Sequence, residues 1–232
     1  AAGVRHLLVP AITRRAWPSL WDLCAGDPHL YPAIGLHPVM LEQHGSEDTA
    51  ALEQYVSSHR PVAIGEIGLD YFVRELDRKR QQTTLEEQLA VAETHRLPVI
   101  LHVRKAHDPM LQTLRRYNLV GGICHAFNGS LQQADHYLGL GFKLGFGGML
   151  TYPNASRLHT LARALPLDAL VLETDAPDMT GVVHRYQRNS PAYLPEVLHK
   201  LSELRATETE RIAAETTRNA FEVLRLDDRQ AR

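Results

Sequence analysis

Carboxylates and histidines recur where short apolar runs of this 232-residue chain end. The stretch "LVLETDAPD" at 170–178 indicates a buried strand that delivers Asp175 at its C-terminal tip. Three earlier runs carry Glu66 in "AIGEIGLD", His102 in "VILHVR" and His125 in "GICHAFNG". A buried carboxylate is costly unless positive charge meets it. Neutral imidazoles with ionised carboxylates are a ligand set for divalent ions, so the pattern predicts a metal site.

Each of these residues has a simpler explanation when it is taken alone. Asp175 is typical of a turn or a helix cap, because aspartate favours turns for local reasons. A single histidine at a strand end is usually a hydrogen-bonded core residue, and Glu66 could pair with an arginine. The recurrence of the pattern at four strand ends favours the metal site over four separate coincidences.

The elements that must position these residues are short strands alternating with amphipathic helices. The predicted strands are Arg5–Ala11, Ala33–His37, Val62–Leu69, Val99–Val103, Gly122–Phe127, Phe142–Gly147 and Ala169–Thr174. The predicted helices are Asp48–Ser58, Lys79–His95, Lys105–Tyr117, Leu131–Leu138, Ser156–Leu165, Tyr193–Leu204 and Thr207–Leu224. The strands are almost continuously apolar, which favours a parallel sheet covered on both faces.

Seven such units fit either an open doubly wound sheet or an incomplete TIM (β/α)8 barrel. No GxGxxG motif follows the first strand, so the dinucleotide-binding signature of the open sheet is absent. In a barrel the C-terminal ends of the strands lie on one face, where active sites are built. We therefore expect Glu66, His102, His125 and Asp175 to converge there.

Composition excludes some classes of function. The net charge is −2, so a nucleic-acid substrate would need local positive charge or metal. The two cysteines, Cys24 and Cys124, are too few for a disulfide framework and indicate a reducing cytoplasm. The apolar runs have strand length, so no membrane span is expected. No linker divides the chain, and we expect one domain over residues 1–232.

The ordered motifs resemble the TatD family of metal-dependent hydrolases, usually described as DNases. They are "IGLHP" at 34–38, "GEIGLD" at 65–70, "ILHVR" at 100–104, "CHAFNGS" at 124–130, "LETDAP" at 172–177 and "RNSP" at 188–191. The resemblance implies a TIM barrel of the amidohydrolase type with one or two divalent ions, Mg, Mn or Zn, for phosphodiester hydrolysis. It implies that Glu66 bridges the ions and that His102 and His125 bind one of them. Asp175 would bind the other and orient the attacking water.

The resemblance also implies a DNA substrate, for which single-stranded or frayed ends would suit a site with few basic groups. We expect the substrate to be bound by Arg104, Arg188, Asn128 and His37. Tyr71, Phe127 and Tyr152 are candidates for base stacking, although each could equally lie in the core or at the rim.

Three features depart from the family's pattern. The family begins with His-x-His on its first strand, whereas this chain begins with Arg5, His6 and Leu7. We therefore expect a strand and its helix, roughly 25 to 30 residues, to precede Ala1. Ala126 and Asn128 replace the family's Cys and Ser or Thr, and Ser190 replaces a Glu.

Two other functions stay open on the sequence alone. The same ligands would serve an amidohydrolase-type enzyme acting on a small ester, amide or lactone, because fold does not fix substrate. The chain could also be an inactive member that only binds a metal ion or serves as a scaffold.

Overall fold

Seven parallel strands, separated by helices, form the sheet in the computed structural model, which describes residues 2–226. The strands are β1 Leu7–Ala11, β2 Leu30–Ile34, β3 Ala63–Asp70, β4 Val99–Arg104, β5 Gly122–Cys124, β6 Phe142–Phe146 and β7 Leu170–Leu172. Their order in the sheet is their order in the chain. The predicted α/β class and all seven predicted strands are confirmed.

The α-helices are α1 Trp17–Ala25, α2 Asp48–His59, α3 Arg78–His95, α4 His107–Leu114, α5 Leu131–Gly139, α6 Ser156–Ala164, α7 Leu194–Arg205 and α8 Thr209–Leu224. Seven of them were predicted within about three residues at each end. Helix α1 was not predicted. Its signal is Pro18 in the first turn, where the missing N–H of proline costs no hydrogen bond.

The described chain packs into two compact units. The N-terminal unit comprises residues 5–123 with 224–226, and the C-terminal unit comprises residues 124–223 with 2–4. No helix among residues 2–226 is both long and apolar enough to cross a lipid bilayer.

In the N-terminal unit, strand β3 is buried along its whole length and is distorted at its centre. Ile64 pairs with Val99 and Ile67 pairs with Leu101, so three steps along β3 match two along β4. Such a bulge bends the strand and can re-aim a side chain. Glu66 lies inside it. The bulge therefore explains how a fully buried strand presents a carboxylate.

Glycine at position 68 lets β3 approach β4 beside His102. A Cβ atom on Gly68 would lie only 1.9 Å from the His102 carbonyl oxygen, and the φ of Gly68 is +154°. Both the contact and the dihedral exclude other residues. The second glycine of "GEIGLD" is thus required by the packing that brings β3 and β4 together.

Two buried glutamines of α3 hold the ends of β2 and β3. Gln88 accepts from the Leu36 N–H at 2.7 Å and donates to the Leu36 carbonyl at 3.1 Å. Gln81 makes the same pair of bonds to Asp70, at 2.8 and 3.0 Å. Each glutamine amide thus makes the two backbone hydrogen bonds that a neighbouring strand would otherwise make to that residue. The backbone directly before His37 and at the end of β3 is fixed in this way.

We expect Gln88→Ala to lower the free energy of unfolding by about 2–4 kcal/mol, because the buried N–H and C=O of Leu36 would both lose their partner. Urea unfolding followed by circular dichroism measures the change. Gln54→Ala is the control, since Gln54 is exposed on α2. Equal stability of the two variants would contradict a structural role for Gln88.

In the C-terminal unit, β6 and β7 pair in parallel, with Gly145 opposite Val171. An aromatic cluster fills the space beneath α5, where Tyr137 contacts Phe127 and Phe142 edge-on, with centroid distances of 5.9 and 6.0 Å. Phe127 is only 1% exposed. Its role is therefore packing, and the suggestion that it stacks on a nucleobase was wrong.

Candidate metal centre

The N-terminal unit gathers two histidines and two carboxylates where β2, β3 and β4 end. Glu66 Oε1 lies 3.3 Å from His37 Nε2 and 3.2 Å from His102 Nδ1. On the other side of its ring, His102 Nε2 lies 3.0 Å from Asp70 Oδ2. The side chains of Glu66 and Asp70 are 8% and 1% exposed, so two nearly buried carboxylates face one imidazole ring.

The ring of His102 is placed between two acceptors. A neutral imidazole carries one proton, so either tautomer leaves one ring nitrogen lone pair directed at a carboxylate oxygen. A second proton, on the ring or on a carboxyl group, or a metal ion makes both contacts favourable. Because burial strengthens electrostatic interactions, an added proton or a metal ion is strongly favoured at this position.

Asp70 determines which nitrogen of His102 is available. Burial raises the pKa of this carboxyl group, but hydrogen bonds from His102 and from the Val73 and Phe72 N–H groups outweigh burial and hold the pKa below its usual value. Asp70 is thus an ionised acceptor, and it favours the tautomer in which His102 Nε2–H donates to it. The lone pair of Nδ1 then faces Glu66, as in metal-ligating histidines that a carboxylate orients.

His37 differs from His102 in the bond that its other nitrogen makes. The Val39 N–H donates to His37 Nδ1 at 3.1 Å, so the proton of a neutral ring lies on Nε2. His37 Nε2 lies 3.3 Å from Glu66 Oε1, which is within ion-pair distance. His37 was predicted at the end of a strand, but it lies three residues after β2 and caps the 3-10 helix Pro38–Gln43. The geometry makes it a hydrogen-bond donor.

These residues fit a divalent cation. His37, Glu66 and His102 each offer a nitrogen or oxygen atom, and the three atoms lie within 4.8 Å of one another. Imidazole nitrogen and carboxylate oxygen are ligands that Zn²⁺ and Mn²⁺ accept. His102 Nδ1 and Glu66 present unprotonated donor atoms, whereas His37 Nε2 carries a proton in the tautomer described above. His102 and Glu66 are therefore the better ligands.

The C-terminal unit contains a similar pairing of histidine with carboxylate. His125 directly follows β5, and its Nδ1 lies 3.6 Å from Glu173 Oε1. Glu173 also accepts from the Ala126 N–H at 2.6 Å, which holds the carboxylate in place. Burial raises the pKa of the adjacent Cys124 thiol, and the charge of Glu173 raises it further.

Asp175 follows β7 by three residues in a strained conformation. Its φ of 58° lies in the left-handed region, which non-glycine residues seldom adopt. Strain of this kind persists where the surroundings enforce it, and it is concentrated at functional sites. That His125 and Asp175 bind metal together with Glu66 and His102 stays a prediction from sequence.

The predicted substrate-binding residues other than His37 are exposed. Arg104 is the last residue of β4, and Asn128 and Arg188 lie in loops of the C-terminal unit. Their contact with substrate stays a prediction. The contacts of Asp70 with His102 and of Glu173 with His125 were not predicted from the sequence. Both carboxylates stand in the motifs already singled out, "GEIGLD" and "LETDAP", and the presence of a second carboxylate in each motif was the available signal.

Comparison with known proteins decides the family. The family described as TatD related DNase matches residues 1–225. The chain belongs to the TatD family. It is 42% identical over 224 residues to the Escherichia coli (strain K12) protein described as uncharacterized metal-dependent hydrolase YjjV, covering 95% of this chain and 86% of that one. The crystal structure of YjjV superposes with a TM-score of 0.92 at 41% identity, covering 96% of this chain and 87% of that chain.

A more distant member of the TatD family carries a specific activity in its name. The 3'-5' ssDNA/RNA exonuclease TatD of Erwinia tasmaniensis is 30% identical over 233 residues, covering 97% of this chain and 90% of that one. The comparisons confirm the predicted TIM-barrel fold of the TatD type and the predicted class, a metal-dependent hydrolase. They leave the identity of the metal open.

Asp70→Asn should weaken binding of Zn²⁺ or Mn²⁺ by about 10–100-fold, the usual cost of losing a residue that orients a metal-ligating histidine. If the asparagine oxygen keeps accepting from the Phe72 and Val73 N–H groups, its NH2 faces His102 Nε2. The proton of the ring then moves to Nδ1, where the metal would bind. Isothermal titration calorimetry measures the affinity.

Asp77→Asn is the matched control for Asp70→Asn. Asp77 also accepts from two backbone N–H groups, those of Lys79 and Arg80, but it is exposed at the start of α3 and faces no histidine. Asparagine is an equally good helix cap. Unchanged affinity in Asp70→Asn would show that the carboxylate does not orient a metal ligand.

Proposed function

We propose that the protein is a metal-dependent deoxyribonuclease that hydrolyses phosphodiester bonds at single-stranded or frayed DNA ends. The observation that carries the proposal is the ring of His102, held between the nearly buried carboxylates of Glu66 and Asp70 in a group of residues that could hold a metal ion. A hydrolase needs such an ion most where the substrate is an anion that water attacks slowly.

The family supports a nucleic-acid substrate. The family's description names a DNase, and the Erwinia tasmaniensis relative is named for exonuclease activity on single-stranded DNA and RNA. The net charge of −2 gives no general affinity for polyanions. Bound metal, with a few arginines such as Arg104, would therefore supply the positive charge that attracts the phosphate.

In this proposal each residue of the site has its own role. Glu66 and His102 hold a divalent ion, and Asp70 keeps His102 in the tautomer that does so. When bound, the ion lowers the pKa of water and polarises the phosphoryl oxygen. His37 lies beside Glu66, with its Nε2 3.3 Å from Glu66 Oε1, and contacts the substrate there. From the sequence motifs, we assign metal binding also to His125 and acceptance of the proton of the attacking water to Asp175.

A substrate panel tests the function. Purified protein with Mg²⁺, Mn²⁺ or Zn²⁺ is assayed on 5'- or 3'-labelled single-stranded oligonucleotides, on blunt duplexes, and on carboxylic and phosphate esters of small alcohols. We expect cleavage of single strands to exceed cleavage of blunt duplexes and small esters. Faster turnover of a small carboxylic ester would favour the amidohydrolase-type alternative. Tight metal binding without turnover of any substrate would indicate an inactive member.

A further inference from the structure

Phe72 is an exposed aromatic residue directly beside the candidate metal centre. It follows the end of β3 by two residues, and 54% of it is exposed. The neighbouring Tyr71, one of the stacking candidates from sequence, is only partly exposed, and Phe127 is buried. An exposed phenylalanine is common in proteins, so its exposure alone carries no inference.

The ring of Phe72 is held in place by Arg104. The guanidinium carbon of Arg104 lies 3.7 Å from the centroid of the ring, a close cation–π contact. Arg104 ends β4, two residues after His102, so the contact joins the ends of two adjacent strands. The guanidinium lies over one face of the ring, so the pair places a positive charge beside an exposed aromatic group.

Asp70 contacts both the backbone of Phe72 and a histidine of the candidate metal centre. One oxygen of its carboxylate, Oδ1, accepts from the Phe72 and Val73 N–H groups at 2.9 and 3.1 Å, while Oδ2 faces His102. The carboxylate is 1% exposed. One buried carboxyl group therefore fixes both the backbone of Phe72 and the orientation of His102. An aromatic ring with this anchoring lies at a defined distance from the site of hydrolysis.

We propose that Phe72 and Arg104 form a stacking platform for an unpaired nucleobase of the substrate. The inference rests on the proposed function and identifies the surface that selects single-stranded over double-stranded DNA. A base within a duplex is already stacked on both faces and cannot lie on an external ring. Base–aromatic stacking is tolerant of sequence, because every base has a π-face. Arg104 adds a cation that can contact the adjacent phosphate.

The test measures stacking directly by the fluorescence of a 2-aminopurine base, which a stacked aromatic ring quenches. Single-stranded oligonucleotides with phosphorothioate linkages, which resist hydrolysis, carry it at one of the three 3'- or 5'-terminal positions and are titrated with the metal-loaded protein. We expect quenching at one position by the wild type. Phe72→Ala should abolish the quenching and raise Kd about tenfold, in line with the measured cost of losing one base–aromatic stack.

Three further variants separate stacking from other effects. Phe72→Trp should keep the quenching, and Phe72→Leu, which retains apolar volume without a ring, should lose it. Leu23→Ala is the control, because Leu23 is 58% exposed on α1 of the same unit. Replacing the quenched base by an abasic site should cost the wild type the same factor as Phe72→Ala, with no further loss when the two changes are combined.

The outcomes for the platform and for the proposed function are distinct. Quenching that persists in Phe72→Ala, or an abasic effect that adds fully to it, would overturn the platform whether or not the protein cleaves DNA. Failure of the wild type to cleave any oligonucleotide in the presence of metal would overturn the proposed function. Loss of quenching in Phe72→Ala would still identify the platform as a base-binding surface.

Discussion

Glu66→Gln should lower the rate of metal-dependent hydrolysis by about 10³-fold or more, above the 10–100-fold expected for a residue that only orients a ligand. Glutamine keeps the shape of the side chain and an oxygen that can accept from His37 Nε2–H. It removes the negative charge that, with His102, holds the cation. The measurement is kcat on a labelled oligonucleotide at saturating metal, together with the metal content of the dialysed protein.

The control for this variant is Glu42→Gln, which changes an exposed carboxylate in the 3-10 helix after His37. Its rate should match that of the wild type. Circular dichroism of Glu66→Gln should show the native fold, because the strand that bears it is held by apolar packing along its whole length. A folded Glu66→Gln protein with unchanged kcat and metal content would refute the assignment of Glu66 as a ligand.

Removal of metal should abolish hydrolysis completely and leave the chain folded. The apolar core of the N-terminal unit forms without the ion. The two buried carboxylates beside His102, in contrast, are stabilised by the positive charge of the ion. Restoring an ion at about 100 times its Kd adds about 2.7 kcal/mol to the free energy of unfolding. For a chain of this length that corresponds to a rise in Tm of roughly 5–10 °C. Differential scanning calorimetry before and after EDTA dialysis measures it.

His102→Ala provides the comparison for metal removal. It lacks the nitrogen ligand, so added Zn²⁺ or Mn²⁺ should leave its Tm unchanged at concentrations that raise the Tm of the wild type. Equal shifts in both proteins would place the ion elsewhere in the chain. Full activity of the dialysed wild type in excess EDTA would exclude a metal-dependent reaction.

The fold was predictable because its signals are local. Each strand is a short apolar run and each predicted helix has an amphipathic pattern, so seven strands could be placed from the sequence. The boundary of β2 was the least accurate, since the apolar residues of "AIGL" continue past the last paired residue, Ile34. Apolar patterning reports burial, and the backbone at Leu36 is buried by a glutamine side chain instead of by a strand.

The residues of the candidate site were predictable only where the residue type itself indicates metal binding. His102 and Glu66 stand out because both can bind a metal. The functions of Asp70 and Phe72 depend on contacts between strands: the carboxylate faces a ring on β4, and the phenylalanine lies under an arginine of β4. The bulge that turns Glu66 toward His102 has no sequence signal beyond its glycine. Such features follow from register, which one sequence does not specify.

The interval between Gln81 and Gln88 constrains the length of α3. Seven residues are about two turns, or about 10.5 Å along the axis, so both amides lie on one face of the helix. Inserting a single residue between them would rotate one amide by about 100° relative to the other, and only one strand end could keep its partner. Insertions or deletions should therefore be tolerated at residues 74–76, in the loop before α3, but between Gln81 and Gln88 they would shift His37 relative to His102.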